Sequence, residues 1–134
     1  MSETPMTKRV LFVCIENANR SQMAEAFAHH LGGTAVQAFS AGSRPSGRIN
    51  PKAQRFMAEL GYDLSTQRSK SLDELAGLSF DAVITMGCGD ACPWLPAQRR
   101  EDWALRDPRD LDDDDYRAVR DDIGTRVRAL LDSL

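Results

Sequence analysis

The sequence predicts an α/β fold with a parallel sheet, and three observations predict it. Two short runs, Lys8 to Val13 (KRVLFV) and Phe80 to Met86 (FDAVITM), are apolar without alternation, the pattern of strands buried on both faces. Between and after them, apolar residues recur at helical spacing. Strands that alternate with helices in this way build a parallel sheet, and ligands then gather beyond the carboxyl ends of its strands.

Taken in order, the first run ends at Cys14, and the polar segment Glu16-Asn17-Ala18-Asn19 follows. A helix begins at Arg20, with Met23, Ala24, Phe27 and Leu31 on one face and Gly32-Gly33 as its stop. Thr34 to Phe39 reads as a second strand, and the turn-rich Ser40 to Asn50 leads on from it. Asn50 has the character of an N-cap with Pro51 at the first helical position, and Phe56, Met57 and Leu60 make an apolar stripe before Gly61. A short helix is expected around Ser71 to Leu78, then the strand from Phe80. Gly87 to Pro96 holds two cysteines, two glycines and two prolines and reads as a mobile loop. Arg99 to Leu105 suggests a short edge strand. Tyr116, Val119, Ile123, Val127 and Leu130 then mark a final helix, whose amino end the acids Asp112 to Asp115 complement.

Composition narrows the function classes. The 134 residues fit one domain and leave no room for a second core. A net charge of -3 argues against nucleic-acid binding, which calls for a basic stripe. No apolar run approaches the roughly 20 residues that span a membrane, and Met1 to Thr7 lacks the apolar core of a signal peptide. A cytoplasmic protein is therefore expected, with no membrane or nucleic-acid partner. Three cysteines in a reducing compartment suggest chemistry rather than a disulfide framework.

The segment between the first strand and first helix reads Cys14-Ile15-Glu16-Asn17-Ala18-Asn19-Arg20-Ser21. A loop wrapping back to a helix start aims several N–H groups at one point and makes a nest for an oxyanion. Arg20 adds a planar fork suited to a tetrahedral anion. The same positive field is expected to favour the thiolate of Cys14 at neutral pH. Ser21 could donate to that sulfur, and Asn17 could hold the loop's shape. The bland alternative, a buried cysteine beside an ordinary arginine, is disfavoured by the placement between a buried strand and an amphipathic helix.

This loop, followed by Gln22-Met23-Ala24-Glu25, resembles the active-site signature of the arsenate reductases related to low-molecular-weight tyrosine phosphatases. The similarity extends through Ser40-Ala41-Gly42, Asn50-Pro51-Lys52-Ala53, the strand ending Val83-Ile84-Thr85-Met86, and Trp103 to Pro108. The resemblance implies a four-stranded parallel flavodoxin-like sheet flanked by helices, with residues 1–7 as a flexible N-terminus and 8–134 as a single catalytic domain. It casts Cys14 as nucleophile, Arg20 as anion clamp, Ser21 as thiolate partner and Asn17 as the loop-shaping residue. Asp107, before Pro108, matches the acid that protonates the leaving group, and the proline restricts its backbone to extended geometry.

Phosphate and arsenate share shape and charge, so the loop alone does not choose between them. An arsenic(V)–thiolate adduct can be reduced by a second thiol, whereas a phosphorus(V) one cannot, and Cys88 and Cys92 supply further thiols. By resemblance they are the second and third redox cysteines of the thioredoxin-coupled branch. Cys14 would attack arsenate, Cys88 would displace arsenite by bonding to Cys14, and Cys92 would take over Cys88, leaving a disulfide for thioredoxin or a similar thiol reductant. At i and i+4 of a helix their Cα atoms would stand about 6 Å apart, near the upper end for a disulfide, and Gly87 and Gly89 should let the segment deform.

Phosphate and sulfate are expected to compete with arsenate. No cofactor and no bound metal is expected. Some relatives bind potassium near the positions of Asn17, Glu25 and Ser40, and Lys70 falls where a further acid would stand, so its ammonium could substitute for the ion. Zinc at Cys88 and Cys92 lacks partners, because His29 and His30 are adjacent and diverge by roughly 100° on a helix; one partly buried and one solvated histidine is the expectation. The rival functions are a phosphatase acting on phosphotyrosine or small phosphate esters, which would need neither Cys88 nor Cys92, and an anion-binding or redox-sensing module, which would need no Asp107.

Overall fold

The computed structural model describes residues 7–86 and 97–134. Four strands form one parallel sheet: β1 (Lys8–Val13), β2 (Val36–Ala41), β3 (Phe80–Thr85) and β4 (Ala97–Asp102), in the order β2-β1-β3-β4. The helices are α1 (Arg20–Gly32), α2 (Pro51–Ala58) and α3 (Asp113–Ser133), with single 3-10 turns at Gly33–Ala35 and Leu72–Leu75. Among the described residues no helix is long and apolar enough to cross a membrane.

The central strands explain the layering. Val10 and Phe12 of β1, with Ala82 and Ile84 of β3, face a core filled by Met23 and Phe27 of α1, Phe56 and Met57 of α2, and Tyr116, Ile123 and Val127 of α3. Leu11, Val13 and Val83 point the other way, into a smaller cluster with Ala41, Leu72 and Leu75. Residues that alternate between two buried faces must all be apolar, which is why these strands read as unbroken runs.

Helix ends follow their capping residues. Asn50 accepts a bond from Lys52 N at 2.9 Å with Pro51 at the first position of α2. Asp112 accepts from Asp115 N at 2.8 Å, and Asp113, Asp114 and Asp115 occupy the positive end of α3. Glu59, just past α2, is bound by Arg117 and Arg120 of α3, which hold its carboxyl down to about 2.

Two strands and a histidine pair differ from the sequence reading. The second strand starts at Val36 rather than Thr34, because Gly33-Thr34-Ala35 closes one 3-10 turn after α1. The edge strand begins at Ala97 and stops at Asp102, where Trp103 turns inward. His29 and His30 are both exposed, and His30 stacks on Tyr62 at 4.2 Å instead of entering the core.

Gly42, directly after β2, carries the fold toward its site. Its N–H donates to Lys70 O at 2.9 Å, and its carbonyl accepts from Leu72 N at 3.1 Å. A Cβ there would lie 2.4 Å from the Ile15 carbonyl oxygen and 2.8 Å from that of Cys14. Both obstacles are backbone and cannot swing aside. Gly42→Ala is therefore expected to lower stability by about 1–3 kcal/mol, read as a drop in the urea midpoint; an unchanged midpoint would mean the Cys14 segment yields freely.

Candidate active site

The sheet ties the carboxyl end of β1 to those of both its neighbours: Cys14 N donates to Ala41 O of β2 at 3.2 Å, and Met86 N, just past β3, donates to Val13 O at 2.9 Å. Cys14 thus leaves β1 at the middle of the sheet, where the chain turns through residues 15–19 into α1. Asn17 makes that turn possible with φ of 52°, a left-handed value that asparagine tolerates better than most residues.

The Asn17 amide is bonded on both sides. Its Nδ2 donates to Ser21 Oγ at 2.8 Å, and its Oδ1 accepts from Gln22 Nε2 and from Lys70 N, each at 2.9 Å. Neighbouring segments draw the loop's carbonyls outward. Ile15 O accepts from Arg44 N, Glu16 O from Ser46 N and Ser69 Oγ, and Ala18 O from Asn50 N. With these oxygens engaged outside, the loop is left free to present its N–H groups to its concave side.

That side opens on a pocket of about 150 Å³ lined by Cys14, Ile15, Glu16, Ala18, Asn19, Arg20, Asp107 and Arg109. Arg20 is only 8% exposed. Its Nη1 is anchored by Met86 O at 2.7 Å and Leu105 O at 2.9 Å, while its buried Nε has no partner among the described residues. A buried, unpaired guanidinium N–H beside a sulfur is suited to an oxyanion, which would supply the missing acceptor.

The expected residues are therefore mostly gathered here: the Cys14 to Arg20 loop and Asp107, which arrives from the segment after β4. Asp107 is exposed, and its Oδ1 accepts from Arg109 N at 3.0 Å, fixing the carboxyl at the pocket rim. Ser21 is fully buried and bonded to Asn17; no bond from Ser21 to Cys14 is present among the described residues. Lys70 Nζ stands 3.7 Å from Glu25 Oε1, and the same oxygen accepts from Ser40 Oγ at 2.6 Å, so Glu25 links the two. Cys88 and Cys92 lie outside the described residues.

The thiol of Cys14 is under opposing influences. Burial is the largest influence and pushes it up from its ordinary value; the Arg20 guanidinium and the Ile15 N–H pull it down, and the Asp107 carboxylate pushes it up again. Arginine and loop amides are visible in a sequence, but the desolvation of a residue 5% exposed is not.

Sequence reasoning missed several supports. Gln22, fully buried, bridges Asn17 to the Arg68 carbonyl and receives Gln67 Nε2 on its own Oε1 at 2.9 Å. A polar residue at a core position of α1 was the available signal. Arg109 pairs with Glu16 across the pocket mouth at 3.5 Å, and Tyr116 donates to Asn19 Oδ1 at 2.7 Å. These join residues 93 and 97 apart and leave no local pattern.

Comparison with known proteins gives consistent findings. The sequence matches the low molecular weight phosphotyrosine protein phosphatase family over residues 9–134. It is 39% identical to the glutaredoxin arsenate reductase of Synechocystis sp., covering 92% of this chain and 96% of that protein. A solved arsenate reductase in the phosphate binding state superposes with a TM-score of 0.87 at 38% identity, covering 95% of this chain and 98% of the other. The thioredoxin-dependent arsenate reductase of Corynebacterium glutamicum superposes at 0.79 with 37% identity, over 96% of this chain and 62% of that one.

The opposing influences on Cys14 are separable by substitution. Asp107→Asn should move the midpoint of Cys14 alkylation to lower pH by removing an upward push, and Arg20→Ala should move it to higher pH. Iodoacetamide labelling followed by peptide mass spectrometry reads both. Shifts in the same direction would show that charge does not govern the thiol.

Proposed function

The chain belongs to the low-molecular-weight phosphotyrosine protein phosphatase family, and on that premise we propose that it is an arsenate reductase. The anion chemistry rests on one observation above all, the buried Arg20 Nε without a partner beside Cys14. The choice of arsenate over a phosphate ester rests on the names of relatives matched along nearly the whole chain and on the two further cysteines. Residues 8–134 act as one catalytic unit, in the reducing cytoplasm where free thiols persist.

Cys14 thiolate attacks arsenic(V) held by the loop amides and Arg20, forming an S–As bond. The As–O bond opposite breaks, and Asp107 gives its proton to the departing hydroxide, which leaves as water. Cys88 thiolate then attacks the Cys14 sulfur. The S–As electron pair passes to arsenic, which leaves as arsenite, and two thiols have become a Cys14–Cys88 disulfide. Cys92 attacks Cys88, frees Cys14 as thiolate and completes a Cys88–Cys92 disulfide, which an external dithiol reduces. Both redox cysteines stand outside the described residues, so their roles rest on the family resemblance.

The names of the two relatives differ in the reductant, glutaredoxin in one and thioredoxin in the other. Our reading is thioredoxin, since three cysteines can regenerate Cys14 internally and present a single disulfide. Arsenate binds as substrate, and phosphate and sulfate compete for the same loop.

The test is arsenate-dependent NADPH oxidation with thioredoxin and thioredoxin reductase, run beside para-nitrophenyl phosphate hydrolysis. Arg20→Ala should lose at least about a hundredfold in both. Cys88→Ser should abolish multiple turnover of arsenate, and Cys92→Ser should release arsenite once and stop as a Cys14–Cys88 disulfide, seen by mass spectrometry. Ester hydrolysis, if present, should survive both. A Cys88/Cys92 double serine variant that reduced arsenate at the parent rate would remove the relay.

A further inference from the structure

Helix α1 starts at the anion loop, and its N-cap residue is Asn19. An asparagine in that place ordinarily turns its side-chain oxygen onto the N–H of the second or third helical residue, here Ser21 or Gln22. Asn19 makes no such bond, and its backbone, at φ -127° and ψ -86°, is not the extended one usual for a cap. Its Oδ1 is instead taken by the phenol of Tyr116, at 2.7 Å in a buried contact.

Tyr116 is built to hold that oxygen. It lies in the first turn of α3 and is fully buried. The Phe56 ring packs against it with centroids 4.9 Å apart, and Lys52 Nζ stands 5.9 Å from its ring centre. Burial, reinforced by the Asp107 carboxylate, pushes its hydroxyl up from the usual phenol value, so it remains a neutral donor wherever the protein works.

We infer that Tyr116 is a positioning residue that withholds the Asn19 side chain from capping α1, leaving the helix's first N–H groups for the oxyanion. A capped helix start would already have an acceptor on an amide that the anion needs, and the two would compete. The sequence alone presents Asn19 as an unremarkable loop residue; the contact with Tyr116, 97 residues away, gives its side chain a task. The inference rests on the oxyanion reading of the Cys14 loop.

Its test is calorimetric titration with arsenate and with sulfate. Tyr116→Phe frees the Asn19 oxygen to cap α1, so anion affinity should fall about fivefold, the usual worth of such a cap. Adding Asn19→Ala to Tyr116→Phe removes the competing oxygen and should restore most of the loss. A purely structural role for Tyr116 gives the opposite result, with the double variant binding as weakly as Tyr116→Phe or more weakly. If Tyr116→Phe does not fold, a second pair decides. Asn19→Ser, short of Tyr116 but able to cap, should bind about fivefold more weakly than Asn19→Ala, which cannot cap. Equal affinity in that pair, or parent affinity in Tyr116→Phe, overturns the inference. Failure of the parent to bind either anion would overturn the oxyanion reading instead.

Discussion

Asn17 sits at φ 52° with its side chain wholly buried, held by Ser21, Gln22 and the backbone of Lys70. A left-handed residue inside a loop costs conformational energy and persists only where its surroundings over-determine it. Here they do so through partners from α1 and from the segment before the 72–75 turn. Once the turn is fixed, the carbonyls of residues 15, 16 and 18 meet donors on the outer side and the pocket side is left for an anion. Gly42 belongs to the same constraint, since only a residue without a side chain lets β2 pass this close to the Cys14 and Ile15 carbonyls.

The site is assembled from segments far apart in the chain. Arg20 takes its anchors from the ends of two others, Met86 beyond β3 and Leu105 beyond β4, so its guanidinium is positioned by the sheet as much as by its own helix. The same segment after β4 brings Asp107 to the rim. On the proposed mechanism, the group that moves a proton is thereby exposed, while the group that holds charge is buried and braced. This division suits chemistry in which a hydroxide leaves toward solvent.

What could be read in advance follows from how local each signal is. β1 and β3 were legible because burial on both faces demands unbroken apolar residues. α2 and α3 were legible from Asn50-Pro51 and the Asp112 acids. The loop from Cys14 to Arg20 was legible because its chemistry is contiguous. β2 was misplaced by two residues, as nothing in Gly33-Thr34-Ala35 distinguishes a 3-10 turn from a strand start. The upward push of burial on the Cys14 thiol was not legible, because charges can be counted in a sequence and desolvation cannot. The hydrogen bonds of Gln22, Gln67 and Tyr116 depend on packing between distant segments.

β2 and β4 are the outer strands of the sheet. β4 closes one side with Gln98-Arg99-Arg100-Glu101-Asp102, almost all exposed and mostly charged. A strand of this composition is a poor template for a stray strand from another molecule, since each added residue would have to meet a charge of one sign or the other. The cost is that β4 contributes little burial of its own, and its hold on the molecule passes to Trp103, whose ring lies 6.0 Å from that of Phe12. Self-association is thus discouraged at the margin by polarity, with an aromatic peg at the strand's end replacing the adhesion that polarity gives up.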